Sequence, residues 1–579
     1  MTRATADRIA VAEDQVGPGG RLQALDETGR PAGPPEAVPD LARAVAEREA
    51  ARHPRWVWAA TDDLYQRLLD RLPDRLGRCH DVRLTESLLL GHAELHRAPR
   101  SLGAAWARLN DLPVPEDPRA GHTDGQPSLF VADRHQLPSG ADHLTALVAV
   151  HADQVRRIAA LERPDRMRLL CAAESAGALA AAEMGRDGLP WSADAHDALL
   201  TSLLGPRPAG GARPEVLSRL TAQFQEAVGQ PVNPDSHPQV LAAFARAGVP
   251  LPSIRSEVLR DVGHPAAAVL LRYKELSRVH SAHGWAWRES WVRDGRFRPE
   301  YVVGGVISGR WASRGGGALQ IPRLLRSAVL ADPGHRLVVA DAGQLEPRVL
   351  AAMSGDRAMA RAAAGGDLYA GLAATAFDGD RARAKIGLLA AMYGQTSGEA
   401  GQLVAVLRRR FPDAMDLVES AARTGEAGGV VRSRLGRTSP RPSAGGPRDD
   451  GQDLAEPADN DGGDADPGAS SAARAARSWG RFTRNFVIQA SAAEWALALL
   501  AALRRRLAVL PPDADGAVPR LVFFQHDEVM VHSPAATADA VAEAVTASAA
   551  EASALVFGPT AVRFPLDTRI VRCYADAKD

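Results

Sequence analysis

Cysteine is scarce in this chain of 579 residues: Cys79, Cys171 and Cys573 stand far apart, with no Cys-x-x-Cys pair among them. Neither a disulfide framework nor a cysteine zinc site is implied, and a reducing compartment fits. Lysine is as scarce, confined to Lys274, Lys385 and Lys578, so a lysine inside a motif is a marked residue. Tyrosine supplies only six residues. The N-terminal stretch MTRATADRIAVAEDQ lacks the apolar core of a signal peptide. The longest apolar run, WALALLAAL at 495–503, is too short to span a bilayer. An excess of charge of one sign is missing too: the formal net charge of −1 says nothing for or against a polyanionic partner, because local distribution decides. There is no GxxxxGK[ST] phosphate loop and no internal repeat. These absences lead to the expectation of a soluble cytoplasmic protein without a membrane partner.

The length allows two to four domains. Residues 1–200 alternate short strand-like runs such as RWVWAA with amphipathic helices, the pattern of an α/β unit. Residues 200–300 read as mostly helical, broken at GPRPAGGARP and GVPLPS. AVLADPGHRLVVADAGQ (328–344) reads as a turn and a buried strand with Asp341 at its end, and a long helical region follows to about 424. From about 439 to 471 the chain is rich in Gly, Pro, Asp and Ser, a composition that cannot bury enough surface to order itself. It is expected to be a mobile loop. Near the C-terminus, LVFFQ, the turn HDE and VMVHS predict a hairpin, followed by a helix.

Asp341 and Asp527 each interrupt or end an apolar run, 186 residues apart. Carboxylates at strand ends can sit half-exposed at the lip of a sheet. A pair of them brought together suits a two-Mg²⁺ phosphoryl-transfer site, with metals roughly 3.5–4 Å apart. Either aspartate alone reads first as a turn-capping carboxylate, but a simple hairpin turn favours Asn-Gly or Asp-Gly rather than His-Asp-Glu. In RARAKIGLLAAMYGQ (381–395), Arg381, Lys385, Leu389 and Tyr393 recur every fourth residue and share a helix face. Two cations and a distal ring suit phosphates at one end and a base at the other. A solvated basic stripe running into core is the alternative.

Read in order, these motifs resemble those of family A DNA polymerases. DAGQLEPR (341–348) resembles the family's DYSQIELR, RARAKIGLLAAMYG (381–394) its RxxxKxxxFGxxYG, and QHDE (525–528) its VHDE. SGRWASRGGGALQIP (308–322) and RNFVIQASAAE (484–494) are similar to two further segments, and all five stand in register across about 205–579. The resemblance implies a fold and a set of roles. The fold is an α/β exonuclease-like (ribonuclease H-like) domain over about 1–200, then an α+β right hand over 205–579. Its thumb lies at about 205–300, its palm at 300–360 and 485–579, and its fingers at 361–480. Asp341 and Asp527 become the ligands of two Mg²⁺ ions, with Glu528 beside them. Arg381 and Lys385 hold a deoxynucleoside triphosphate, and Lys385 also protonates the leaving pyrophosphate. Leu389, Tyr393, Glu346 and Gln344 line the nucleotide pocket, with Glu346 closing it against a ribose 2′-hydroxyl. Arg310, Arg481, Asn485, Gln489 and His526 follow the primer–template duplex. The implied protein is a monomeric DNA-directed DNA polymerase of the nucleoid, serving replication or repair.

The chain also departs from the pattern. Ala342 and Gly343 replace Tyr-Ser, Pro347 an apolar residue, and Leu389 an aromatic, while Tyr369 stands where a histidine often lies. Gly387 in a helix interior costs about 1 kcal/mol against alanine, which predicts a loosened helix. Arginines 408–410, 432, 434, 437 and 441 are expected to face a duplex. In the N-terminal third no Asp-x-Glu pair is found; Asp26 and Glu27 read as a polar turn and Asp153 as a lone candidate carboxylate. A degenerate, inactive exonuclease fold is the expectation. Retained proofreading and a catalytically weak DNA-binding scaffold are the competing readings.

Overall fold

The structure, a computed structural model, describes residues 8–118, 136–138, 140–314, 317, 321–395, 398–442 and 470–577. Most of the segment 439–471 expected to be a mobile loop lies outside the described residues, as does part of the 308–322 motif. The chain forms two compact units. One comprises residues 1–186, 301–313 and 338–569; the other comprises 187–300, 314–337 and 570–579.

The two larger sheets, of five and four strands, lie mainly in the first unit. At the N-terminus, strands β1 (Arg8–Glu13), β2 (Gly20–Leu25), β3 (Glu36–Val38), β4 (Arg55–Trp58) and β5 (Arg78–Asp81) stand in the order β3-β2-β1-β4-β5. The β1–β2 and β2–β3 pairs are antiparallel, whereas β1–β4 and β4–β5 are parallel. Parallel pairing requires crossover connections, here the helices Leu41–Arg52 and Thr61–Leu69. The alternation of strand and helix is thus an α/β domain. Both faces of β1 are covered: Ile9 and Val11 enter one apolar cluster, Ala10 and Ala12 another.

The second sheet has strands β6 (His335–Ala342), β7 (Arg520–Gln525), β8 (Glu528–Pro534) and β9 (Leu566–Val571) in the order β7-β8-β6-β9. The predicted strand at 335–342 and the predicted hairpin are both present. The turn is shorter than expected: only His526 and Asp527 lie in it, and Glu528 already belongs to β8 and is buried. A two-residue hairpin loop of this kind places at least its first central residue at positive φ, and His526 adopts φ 55°.

Six helices between Leu345 and Glu426 fill the region predicted to be helical. The longest helix, Ser471–Leu507, contains the apolar run 495–503. It and Ala535–Phe557 are long and apolar enough to cross a membrane by length and composition; 89% of the apolar window of the first is buried inside the fold. Its Trp495 is fully buried, stacks on Phe564 at 5.5 Å and donates to Ser553 Oγ at 2.9 Å. The N-terminal domain is joined to this helix by a buried ion pair. Arg504 meets Glu183 of the helix Pro164–Asp187 at 2.8 Å, and Tyr65 donates to the same carboxylate at 2.7 Å.

The second unit is mainly helical, as predicted for 200–300. Helices Ala193–Leu204, Glu215–Val228, His237–Arg246 and Pro265–His283 enclose a core of Leu217, Phe224, Phe244, Leu270 and Tyr273. A three-stranded ribbon of two-residue strands lies beside them.

Candidate active site

The sheet of β6 to β9 brings the two aspartates together. Strand β8 pairs with β6, so the turn before β8 falls beside the end of β6. The Ala342 N–H donates to the Asp527 carbonyl at 3.0 Å. Asp341 is therefore joined to Asp527 through its immediate neighbour. The carboxylates feel one another: burial pushes the Asp527 carboxyl up to about 7, and the charge of Asp341 adds to the rise, with a smaller contribution from Glu528 and a small opposing one from Arg310. Two neighbouring oxygen-donor side chains, one of them hindered from ionising by burial and by the other's charge, suit a hard divalent cation, which would remove that repulsion. Among the described residues no group of three or more His, Cys, Asp or Glu is close enough to hold a metal ion by itself.

Glu346 lies in the first turn of the helix Leu345–Ser354 that follows β6. Its carboxylate is ion-paired with Arg310 and accepts from the Tyr393 hydroxyl at 3.0 Å. Burial and this carboxylate together raise the Tyr393 hydroxyl's pKa. Glu346 and Tyr393, both predicted for the nucleotide pocket, thus touch although they come from separate segments, and Arg310, predicted to follow the duplex, joins them.

The helix Arg381–Tyr393 forms as predicted, capped by Asp380, whose side chain accepts from the Arg383 N–H. Arg381 and Lys385 are exposed on it and Leu389 is half-buried. Arg381 is paired with Asp367 at 2.6 Å and lies over the Tyr369 ring at 5.6 Å. Asp367 escaped the sequence reading; its only local signal was its position as an N-cap before LYAGLAATA. Gly387, expected to loosen this helix, sits where the helix meets a neighbour. A Cβ there would stand 2.9 Å from Leu403 Cβ, so the glycine lets this helix lie close against Gly398–Arg410.

Gln344 has a different task from the one expected. Its amide donates to Asp367 at 2.8 Å and accepts from the Leu368 N–H at 2.8 Å, which fixes Asp367 rather than presenting the amide to a ligand. Arg348, the last residue of the 341–348 motif, is fully buried and donates to the carbonyls of Ala363, Gly366 and Arg563 at 2.6–2.9 Å. It ties the helix carrying Glu346 to the loop carrying Asp367. Sequence reasoning missed that role because a buried arginine bound only to carbonyls has no pattern of its own.

Arg481, Asn485 and Gln489 recur every fourth residue on Ser471–Leu507 and share a face. Arg481 is exposed, Asn485 and Gln489 are half-buried, and His526 is exposed. The buried Asn485 Oδ1 has no hydrogen-bond partner among the described residues. The basic residues expected along a duplex fare differently. Arg437 is buried against Glu174, Arg441 pairs with Glu94, Arg408 pairs with Glu419, and Arg434 donates to the carbonyls of Val556 and Phe557. Folding uses these cations internally, which local composition could not reveal.

In the N-terminal domain the following carboxylates are occupied. Asp26 caps its own turn, accepting from the N–H groups of Thr28 and Arg30 at 2.8 and 3.0 Å, which bears out the polar-turn reading. Asp153 pairs with Arg156 and Arg157. Glu86, fully buried, is held by Arg108, Arg157 and Gln154.

The comparisons agree with this geometry. A family model described as DNA polymerase family A matches residues 213–572. DNA polymerase I of Chloroflexus aurantiacus is 31% identical over 214 residues, 32% of this chain and 23% of that protein. The thermostable DNA polymerase I of Thermus aquaticus is 24% identical over 368 residues, 57% of this chain and 40% of that one. The chain therefore spans less than half the length of these curated relatives. The polymerase domain of Pol1 from M. smegmatis, solved with DNA primer-template and dNTP, shares the fold at a TM-score of 0.69 and 18% identity, covering 99% of this chain and 96% of that one. With more than half of its length matched and its two strand-end aspartates side by side, the chain belongs to DNA polymerase family A.

Proposed function

We propose that the chain catalyses template-directed DNA synthesis, joining a primer 3′-hydroxyl to the α-phosphate of a deoxynucleoside triphosphate. The meeting of Asp341 and Asp527 through the Ala342–Asp527 backbone bond carries this reading. The two carboxylates would hold divalent magnesium, which takes remaining ligands from substrate phosphates and water and neutralises charge developing on the reacting oxygens.

The chain's own residues then have separate tasks. Arg381 exchanges Asp367 for a phosphate oxygen and Lys385 meets the same triphosphate from one turn along. Lys385 would also protonate the departing pyrophosphate. Glu346, anchored by Arg310 and Tyr393, obstructs a 2′-hydroxyl and so favours deoxynucleotides. Leu389 offers an apolar contact where a ring would offer stacking. Asn485, Gln489, Arg481 and His526 follow the duplex near the primer end, testing base-pair shape rather than sequence.

The sheet order and helix pattern support a right hand whose fingers lie between about 361 and 480 and whose thumb occupies about 205–300. They also support reading the N-terminal α/β domain as a degenerate 3′–5′ exonuclease fold. Ala10 and Ala12 hold alternate positions on the first strand, without the Asp-x-Glu pair a two-metal exonuclease needs. A monomer acting on the nucleoid in replication or repair completes the reading.

Extension of a labelled primer on a DNA template, with and without Mg²⁺, tests it against Asp527→Ala. Wild type should extend only with the metal, and the variant should bind duplex but not extend. Duplex binding by wild type without extension in Mg²⁺ or Mn²⁺ would replace this function with the scaffold reading.

A further inference from the structure

We propose that a cavity of ≈ 450 Å³ between the start of the Pro164–Asp187 helix and the loop 432–436 is a phosphate-binding site distinct from the polymerase centre. Its wall carries Arg163, Arg166, Arg432, Arg434 and His92, with Glu162 the single acidic residue. None of the aspartates, cations or groove residues of the polymerase centre lines it.

Most of these cations are held by neutral groups, which fixes them without cancelling their charge. Arg434 donates to the Val556 and Phe557 carbonyls at 3.0 and 3.2 Å. Arg166 donates to the Arg434 carbonyl at 3.2 Å, and Arg432 to Thr438 Oγ1 at 3.2 Å. Among the described residues none of these three is ion-paired with a carboxylate; Arg163 alone reaches one, Glu162, at 3.8 Å. The nearest buried acid is Glu494, which accepts from the Leu435 N–H at 2.8 Å. It acts on Arg166 only as the weakest of the influences there. Burial, Arg434 and Arg163 all pull the Arg166 guanidinium downward. His92 is lowered by burial and by Arg432. Like charges packed this way repel, and an anion among them would remove the repulsion.

The chemistry of the wall limits the ligand. Guanidinium forks match phosphate oxygens in pairs, and the volume falls in the range of small-molecule sites, about 300–1,000 Å³. No Trp, Tyr or Phe lines it, and His92 supplies the one ring among the described lining residues, so the wall offers a base little to stack on beside its guanidinium groups. Clustered phosphate oxygens are recognised, either of free polyphosphate or of a nucleic-acid backbone.

Titration calorimetry with inorganic tripolyphosphate in metal-free buffer tests this. The chain used carries Arg381→Ala and Lys385→Ala, which removes the triphosphate contacts of the polymerase centre. One-to-one binding should remain. It should weaken about tenfold or more when the exposed Arg163 and Arg432 also become alanine, and not when Arg43→Ala and Arg71→Ala remove the same charge elsewhere. Loss of all binding in the parent chain, or equal weakening by the two pairs, overturns the proposal. Competition by an oligothymidylate without terminal phosphates would assign the site to a backbone, and its failure to compete would assign it to free polyphosphate.

Discussion

The domains built on the two larger sheets put charge to opposite uses. In the N-terminal one every carboxylate described above is capped or ion-paired, and Ala10 and Ala12 hold alternate positions of the first strand. In the second sheet Asp341 and Asp527 are held together although burial and the charge of Asp341 oppose the ionisation of Asp527. Internal pairing stabilises a fold and leaves nothing for a ligand to do. Unrelieved repulsion costs the fold stability and is relieved only by a cation from outside. A strand-end aspartate is therefore informative through its neighbours rather than by itself.

The sharpest way to break this contrast is to remove a member of the opposed pair. Asp341→Ala and Asp527→Ala should each lower the primer-extension rate on the order of 10³-fold, with little loss of thermal stability, because removing one member relieves the repulsion. A variant that extends primers normally would show that the pair is structural. The converse change is to give the N-terminal sheet the carboxylates it lacks. Ala10 and Ala12 are 0% and 1% exposed, so Ala10→Asp with Ala12→Glu should destabilise the chain by about 3 kcal/mol or more in urea denaturation, without conferring excision of a mismatched primer end. Excision without destabilisation would mean that the first strand faces a preserved metal site.

Much of this was legible in the sequence, unevenly. The hairpin, the strand before Asp341 and the Arg381–Tyr393 helix follow from local periodicity, and the five motifs in register brought the site residues together across 186 positions. What stayed hidden depends on long-range partners. Arg437 is a cation in a basic stretch, yet it lies buried against Glu174; Gln344 faces Asp367; Arg348 binds carbonyls. Nothing in the neighbouring residues distinguishes a cation that meets solvent from one that meets a helix end.

The Arg437 cluster sharpens the comparison further, since it lies between the two sheets' behaviours. Two buried carboxylates, Glu174 and Glu494, share the one guanidinium of Arg437. Burial keeps Glu494 protonated, with its pKa raised to about 7 despite donors from Ser433 and Leu435. Its folded pKa lies above its unfolded one, so folding retains a proton that the unfolded chain releases. Stability should then fall as pH rises from about 4.5 to about 7, by about 1–3 kcal/mol. Glu494→Gln removes the titration. Denaturation midpoints of the two chains should agree near pH 4.5 and diverge in the variant's favour by pH 7; parallel curves would show that Glu494 is ionised throughout.

Gly387→Ala is the smallest change and the one where two effects have to be weighed. Helix propensity favours alanine by about 1 kcal/mol. Against it, the new methyl would stand 2.9 Å from Leu403 Cβ and 3.4 Å from the Phe377 ring. A Cβ is fixed to its backbone, so relief requires the helices Arg381–Tyr393 and Gly398–Arg410 to separate. Overpacking of this kind costs about 1–3 kcal/mol, so a net loss of about 1 kcal/mol is expected from urea denaturation. The separation would also shift Arg381 and Lys385 on the opposite, exposed side of the helix. The apparent KM for the incoming triphosphate should therefore rise more than kcat falls. A stabilised variant with an unchanged KM would mean that the glycine is only a weak point in the helix, as its sequence position alone suggests.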